Sequence, residues 1–216
     1  MPHPLLTLQD LAIGYKGRMP LRENITEHFE AGDMVALTGR NGCGKSTLLR
    51  TIAGLQAPLA GQIYIDNKAV GQFGARELAR QVAVVLTHLP DTGFLRAEEA
   101  VALGRLPHTG FAASLSAEDK AIVSEVMQRA GAKPFAKRTL ASLSDGERQR
   151  VMVAKALAQQ TPLILLDEPL AFLDHDSKRA LLDLLRALAH EEGKTIILSS
   201  HDLELTLPYA DCEWKL

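Results

Sequence analysis

The chain has 216 residues, of which 46% are hydrophobic and 23% are charged, and its formal net charge is −2. These values are typical of one globular domain of ordinary size. They give no support for a nucleic-acid partner or for an anionic membrane surface. No apolar run approaches the ~18–20 residues that span a bilayer. A start without a signal-peptide pattern and only two cysteines, Cys43 and Cys212, favour a cytoplasmic location.

Apolar and alternating runs in the first third of the chain predict β-strands. We expect strands over residues 5–15, 24–29, 34–38 and 61–66. Gly32, followed by an aspartate, marks a turn between the second and third of these strands. The third strand leads directly into the most informative segment of the chain.

That segment fits the phosphate-loop pattern G-x-x-x-x-G-K-[ST] and lies between a buried strand and a helical run. Backbone N–H groups and the helix N-terminus in such a loop form a cradle for anions. Lys45 can reach the β- and γ-phosphates of a nucleotide, and Ser46 can offer its hydroxyl to Mg²⁺. The predicted nucleotide-binding residues here are Gly39, Arg40, Asn41, Gly42, Cys43, Gly44, Lys45, Ser46 and Thr47.

The chain changes character after a buried strand predicted over residues 82–86. Helix signals predominate over residues 87–157, which predicts a helical subdomain inserted into an α/β core. Ser116 begins one helix, and Gly131 ends it. Residues 104–110 are predicted to form a loop.

A second helix of the middle segment begins with a recognisable cap. Ser144 and Glu147 have the S-x-x-E spacing of a capping box, and the residues after them are helical in composition. The N-terminus of such a helix is able to hold an anion.

Two acids follow the next apolar run, over residues 163–166. In open α/β sheets, ligands bind at the carboxyl ends of the parallel strands, which is where Asp167 and Glu168 would lie. Asp167 is placed to hold Mg²⁺, and Glu168 to deprotonate an attacking water. A helix is then predicted over 176–190 and a strand over 195–198.

These elements form one predicted domain over residues 1–216, with an α/β core over 1–86 and 158–216 and the helical subdomain over 87–157. The residues from Asp211 onward look like the start of another strand. The sequence leaves open whether the chain is naturally short or truncated.

Taken together, the motifs resemble those of the nucleotide-binding subunit of an ATP-binding cassette (ABC) transporter. Residues 143–147 resemble the family signature LSGGQ, with Asp145 and Glu147 as departures. Asp174 stands where the family has its D-loop, His201 resembles the switch histidine, and Tyr15 has the place of the adenine-stacking aromatic. The resemblance implies a P-loop NTPase (RecA-like) core, an N-terminal antiparallel β subdomain and the inserted α-helical signature subdomain.

The resemblance also implies a mechanism and partners. Two copies would pack head to tail, with each ATP and Mg²⁺ between one copy's phosphate loop and the other's Ser144 and Gly146. Glu168, His201 and Lys45 would be the catalytic groups. A polytopic membrane permease would hold the dimer at the cytoplasmic face of the inner or plasma membrane as a peripheral subunit.

One position departs from the family pattern in a way that bears on the metal site. The family generally has a glutamine after the strand at 82–86, and Thr87 stands there. Threonine lacks the amide and is shorter, so we expect it to reach Mg²⁺ only through water or a shifted loop. His88 is an alternative substitute for the glutamine.

The stretch around Val101, Gly104, Arg105 and Pro107 fits the pattern V-x-x-G-R-x-P of subunits that power uptake of iron–siderophore complexes, haem or cobalamin. The sequence of this subunit does not identify the transported solute. A soluble ABC ATPase of an assembly or repair complex, and an exporter's ATPase, remain as alternatives.

Overall fold

The computed structural model describes residues 4–87, 94–110 and 114–216. The strands are β1 (Leu6–Ile13), β2 (Arg22–Phe29), β3 (Met34–Thr38), β4 (Ala60–Ile65), β5 (Lys68–Ala69), β6 (Val82–Val85), β7 (Leu163–Leu166), β8 (Thr195–Ser199) and β9 (Cys212–Lys215). The helices are α1 (Lys45–Ile52), α2 (Ala75–Leu78), α3 (Ala97–Ala102), α4 (Ala117–Arg129), α5 (Asp145–Ala158), α6 (His175–His190) and α7 (Leu203–Thr206).

The N-terminal strands form an antiparallel sheet in the order β2-β1-β4-β5. The predicted strand over residues 5–15 is shorter in the structure and carries an irregularity at Asp10, whose φ is 46°. A Cβ at Gly61 would lie 2.4 Å from the Asp10 carbonyl oxygen. A glycine is therefore needed on β4 where the bulge of β1 approaches it.

The second sheet is parallel throughout and has the order β6-β7-β8-β3-β9. All residues of β3, β7 and β8 are buried, as expected for parallel strands that are covered on both faces. The segment that begins at Asp211 does form a strand, β9, which pairs with β3 at the edge of the sheet. The five strands bring five carboxyl ends to one edge, and the phosphate loop follows β3 there.

Helices α3, α4 and α5 lie between β6 and β7 in the chain and pack against one another. The predicted cap at Ser116 is confirmed, because its Oγ accepts a hydrogen bond from the Asp119 backbone N–H at 3.0 Å. The structure thus confirms the mixed α/β architecture with an antiparallel β subdomain, while the division at residues 87 and 157 stays a prediction. Within the described ranges no helix is long and apolar enough to cross a membrane.

The prediction of a loop over residues 104–110 was wrong at its beginning. Leu103–Arg105 form a 3₁₀ turn, and the Arg105 side chain is buried rather than solvated. Its Nε donates to Asp119 Oδ1 at 2.8 Å, and one Nη donates to the Ala158 carbonyl oxygen at 2.7 Å. A buried guanidinium needs such partners. Arg105 thereby links the first turn of α4, at Asp119, to the end of α5, at Ala158.

Candidate active site

The phosphate loop joins β3 to α1 through residues in left-handed conformations. Gly42 has a φ of 77° and Gly44, the N-cap of α1, a φ of 110°. Lys45 begins the helix with its side chain 6% exposed. Its Nζ donates to the Gly39 carbonyl oxygen at 2.9 Å and to that of Arg40 at 3.4 Å. The carbonyl oxygens of the loop therefore hold the ammonium group of Lys45 in place over the loop.

Gly39 lies in the most crowded part of the loop. A Cβ there would lie 2.8 Å from Cys43 Sγ and 2.9 Å from the Leu216 carbonyl oxygen, and its φ of 149° is unfavourable for other residues. The half-buried thiol of Cys43 thus packs against the Gly39 backbone. The contact leaves no room for a side chain at position 39.

Asp167 follows β7 and is 2% exposed. Both of its carboxylate oxygens accept a hydrogen bond from a hydroxyl group. Ser199 Oγ donates to Oδ1 at 2.9 Å, and Thr87 Oγ1 donates to Oδ2 at 2.9 Å. The carboxylate is thereby fixed from the strands on either side of β7, since Thr87 follows β6 and Ser199 ends β8.

Glu168 adopts an unusual backbone conformation with a φ of 53°. Its backbone N–H donates to Ser199 Oγ at 2.9 Å, and its Oε1 lies 2.7 Å from His201 Nε2. Glu168 and His201 are 29% and 46% exposed, so the pair faces the open edge of the sheet. Non-glycine residues in this region of φ cluster at functional sites.

The predicted capping box at the start of α5 is confirmed. Ser144 Oγ accepts from the Glu147 N–H at 3.2 Å, and Glu147 Oε2 accepts from the Ser144 N–H at 2.9 Å. The Ser144 N–H, followed by the Arg138 guanidinium, holds the pKa of Glu147 below its usual value. Glu147, a departure from the family signature, therefore completes the cap of this helix.

Gly146 provides the close contact between α5 and the segment after Glu168. A Cβ on Gly146 would lie 2.6 Å from the Phe172 carbonyl oxygen, so no larger residue fits without a shift of the backbone. Asp174, two residues further along, caps α6 by accepting from the Ser177 N–H and hydroxyl, each at 2.8 Å. These two bonds, the N–H first, lower the pKa of Asp174.

Tyr15 lies beyond the end of β1, and 47% of it is exposed. Its carbonyl oxygen accepts from the Arg18 N–H at 3.0 Å, which closes a turn around Gly17. Ile13, at the end of β1, lies close to Gly44 of the phosphate loop, since a Cβ on Gly44 would be 3.3 Å from Ile13 Cδ1. The exposed ring of Tyr15, two residues after Ile13, is available for stacking on a base.

Comparison with known proteins places most of the chain in one family. Residues 22–171 match the profile of the family described as ABC transporter. The chain belongs to this family. It is an ABC-type ATPase, and ATP is its nucleotide.

Relatives of this ABC ATPase include transport proteins of bacteria. The ferric enterobactin transport ATP-binding protein of Escherichia coli is 37% identical over 94% of the chain and 74% of that protein. The iron(3+)-hydroxamate import ATP-binding protein of Bacillus subtilis is 36% identical over 92% of the chain and 73% of that protein. A dimeric ATP-binding cassette in a post-hydrolysis state, bound to ADP and phosphate, superposes with a TM-score of 0.88 at 28% identity, covering 98% of the chain and 94% of that structure.

Within this ABC ATPase, the structure brings together Asp167, Glu168, His201 and Thr87, all of which the sequence had singled out. The alternative at the glutamine position, His88, lies outside the described residues. Sequence reasoning did not assign a role to Ser199. The signal for Ser199 is the pairing of β7 with β8. Leu166 pairs with Leu198, so the next residues, Asp167 and Ser199, lie side by side.

Proposed function

We propose that this ABC ATPase is the ATP-hydrolysing subunit of an importer for a metal chelate such as a ferric siderophore, haem or cobalamin. ATP hydrolysis is supported by the contact of 2.7 Å between Glu168 Oε1 and His201 Nε2. This contact lies next to the Asp167 carboxylate, whose orientation is fixed by a hydrogen bond from Ser199. The relatives named for ferric enterobactin and iron(3+)-hydroxamate support the class of cargo. The V-x-x-G-R-x-P stretch around Arg105 agrees with them.

The residues at the carboxyl edge of the sheet fit Mg²⁺ in their donor chemistry. Ser46 and Asp167 offer hydroxyl and carboxylate oxygens, the hard donors that Mg²⁺ prefers, and Mg²⁺ sites on phosphates use few protein ligands. Thr87 would contribute through water. Mg²⁺ bound there would neutralise charge on the β- and γ-phosphates.

The remaining residues divide the work on ATP. The backbone of residues 39–47 cradles the phosphates, Lys45 pairs with them, and Tyr15 stacks on adenine. Glu168 accepts a proton from the attacking water, and His201 orients Glu168 and contacts the γ-phosphate.

The second copy of the chain completes each site. Ser144 and Gly146 at the start of α5 meet the γ-phosphate of the partner's nucleotide, and Asp174 lies at the junction between copies. Support for this arrangement comes from the capped helix N-terminus, which carries positive potential. The dimer works as a peripheral subunit on the cytoplasmic face of the membrane, docked on a polytopic permease.

Copurification from the native cells tests the importer assignment. The tagged chain is pulled down from membranes in mild detergent, and its partners are identified by mass spectrometry. A polytopic permease together with a binding protein for a metal chelate is the expected result. A set of only soluble partners would instead favour an assembly or repair ATPase, and a permease of an efflux system would favour an exporter.

A further inference from the structure

We propose that Thr87 is a positioning residue of the metal site, acting on Mg²⁺ chiefly through the Asp167 carboxylate that it shares with Ser199. This inference rests on the proposed Mg²⁺–ATP site. It goes beyond that site by stating how the site works with threonine at a position where a longer, metal-reaching amide is expected.

The parallel sheet places both hydroxyl groups beside Asp167. On one side, Val85 pairs with Leu166, and the Asp167 N–H donates to the Val85 carbonyl oxygen at 2.8 Å. Thr87 follows two residues later. On the other side, Leu166 pairs with Leu198, so that Ser199 is level with Asp167.

The hydrogen bonds leave the two hydroxyl groups little choice of orientation. Ser199 Oγ accepts from the Glu168 N–H at 2.9 Å, so its single proton is free to go to Asp167 Oδ1. Thr87 Oγ1 is 2.9 Å from Asp167 Oδ2 and 3.1 Å from the Asp167 carbonyl oxygen. A carboxylate is the stronger acceptor of the two, which assigns the proton of Thr87 to Oδ2.

Burial makes these bonds consequential. Ser199 is fully buried, Asp167 is 2% exposed and Thr87 is half-buried, so bulk water has little access to the carboxylate itself. With one lone pair on each oxygen engaged, the carboxylate plane is fixed and the remaining lone pairs have defined directions. Metal sites depend on such outer partners for the orientation of their ligands.

Thr87 is therefore committed to Asp167 before any metal arrives. A hydroxyl whose proton points at the carboxylate still has lone pairs that can accept from a water on Mg²⁺. Its larger effect comes from holding Asp167 Oδ2, because that bond is present in the chain itself.

Titration of the 216-residue chain with Mg²⁺ in the presence of a fluorescent ATP analogue tests the proposal. Thr87→Val removes the hydroxyl and keeps the shape, whereas Thr87→Ser keeps the hydroxyl and removes a methyl group. Valine should raise the Mg²⁺ concentration for half-maximal binding about tenfold, as for other outer-sphere partners of a metal. Serine should stay within about twofold of the parent, and nucleotide affinity without metal should be unchanged in both. The EPR signal of Mn²⁺ gives the same comparison without nucleotide turnover.

Three results would overturn the proposal. A Thr87→Val chain with the parent's Mg²⁺ dependence shows that the hydroxyl does not matter, and equal damage in Thr87→Ser shows that packing of the methyl group matters instead. Thr87→Ala against Thr87→Ser gives the same comparison should the valine variant fail to fold. If nucleotide binding by the parent chain does not respond to Mg²⁺ at all, the proposed metal site itself is wrong, a failure distinct from the other two.

Discussion

His201 Nε2 lies 2.7 Å from Glu168 Oε1, across the edge where β7 and β8 end. The two residues lie just after the ends of neighbouring parallel strands, and the φ of Glu168 is 53°. The contact would orient the carboxylate that we propose as the acceptor of a proton from water.

His201→Ala should therefore lower the rate of ATP hydrolysis by about a hundredfold, the lower end of what a positioned proton acceptor contributes. Binding of ATP should weaken far less than hydrolysis, because His201 makes no described contact with the phosphate loop and its proposed contact with ATP is to the γ-phosphate alone. Steady-state ATPase assays and nucleotide titrations measure the two effects separately. His28→Ala is the matched control, since that histidine is exposed on β2, and a drop in that variant as large as in His201→Ala would contradict a specific role.

Thr87→Gln restores the amide that the family generally has at this position. Because neither the proposed base, Glu168, nor the proposed metal ligand, Asp167, requires an amide at position 87, the rate should stay within about tenfold of the parent, or about 1.4 kcal/mol of barrier. The ATPase assay at saturating Mg²⁺ and ATP is the measurement. Complete loss of activity in a folded protein would show that the loop cannot accommodate the longer side chain and that Thr87 is not a substitute for glutamine.

The pair of Arg105 and Asp119 should stabilise the helical segment. Arg105→Met leaves the Asp119 carboxylate buried without its guanidinium partner, whereas Arg105→Met with Asp119→Leu removes both charges. Removing one partner of a buried pair is generally the more damaging change. The midpoint of urea unfolding should accordingly fall more in the single variant than in the double variant. The opposite order would mean that the hydrogen bonds of Asp119 to Ser116 at the start of α4 outweigh the cost of leaving its carboxylate without the guanidinium.

The same pair gives the stability of the protein a pH dependence. The Arg105 guanidinium, followed by the Ser116 N–H, lowers the pKa of Asp119 from 3.8 to about 2. A carboxyl group with a lowered pKa in the folded state contributes stability above its unfolded pKa and loses it as the pH falls towards the folded value. The stability difference between the parent and Asp119→Asn should thus be constant above about pH 5 and shrink below it. A difference that does not change in acid unfolding experiments would contradict this.

The sequence predicted the parts of the site that depend on local patterns. The phosphate loop, the acids after the apolar run of β7 and the capping box at Ser144 are all read from a few adjacent residues. The parallel sheet was expected because its strands are continuously apolar, and β3 and β7 are indeed buried along their whole length.

What the sequence did not predict depends on pairing between distant segments. Ser199 gained its contact with Asp167 from the register of β7 with β8, which no local pattern encodes. Arg105 was expected in a loop, because burial of a guanidinium follows only from partners on other elements, such as Asp119 and the Ala158 carbonyl oxygen. Tertiary contacts, and not local secondary-structure propensity, determine where these two polar side chains lie.

The ATPase rate of Glu168→Gln tests whether Glu168 is the catalytic base. This variant keeps the shape of the side chain and removes the base, so hydrolysis should fall at least about a hundredfold while an ATP-bound dimer accumulates in size-exclusion chromatography. Glu204→Gln, an exposed glutamate on α7, is the matched control and should hydrolyse ATP like the parent. Hydrolysis by Glu168→Gln at the parent rate would contradict the assignment of the catalytic base and, with it, the account of the site.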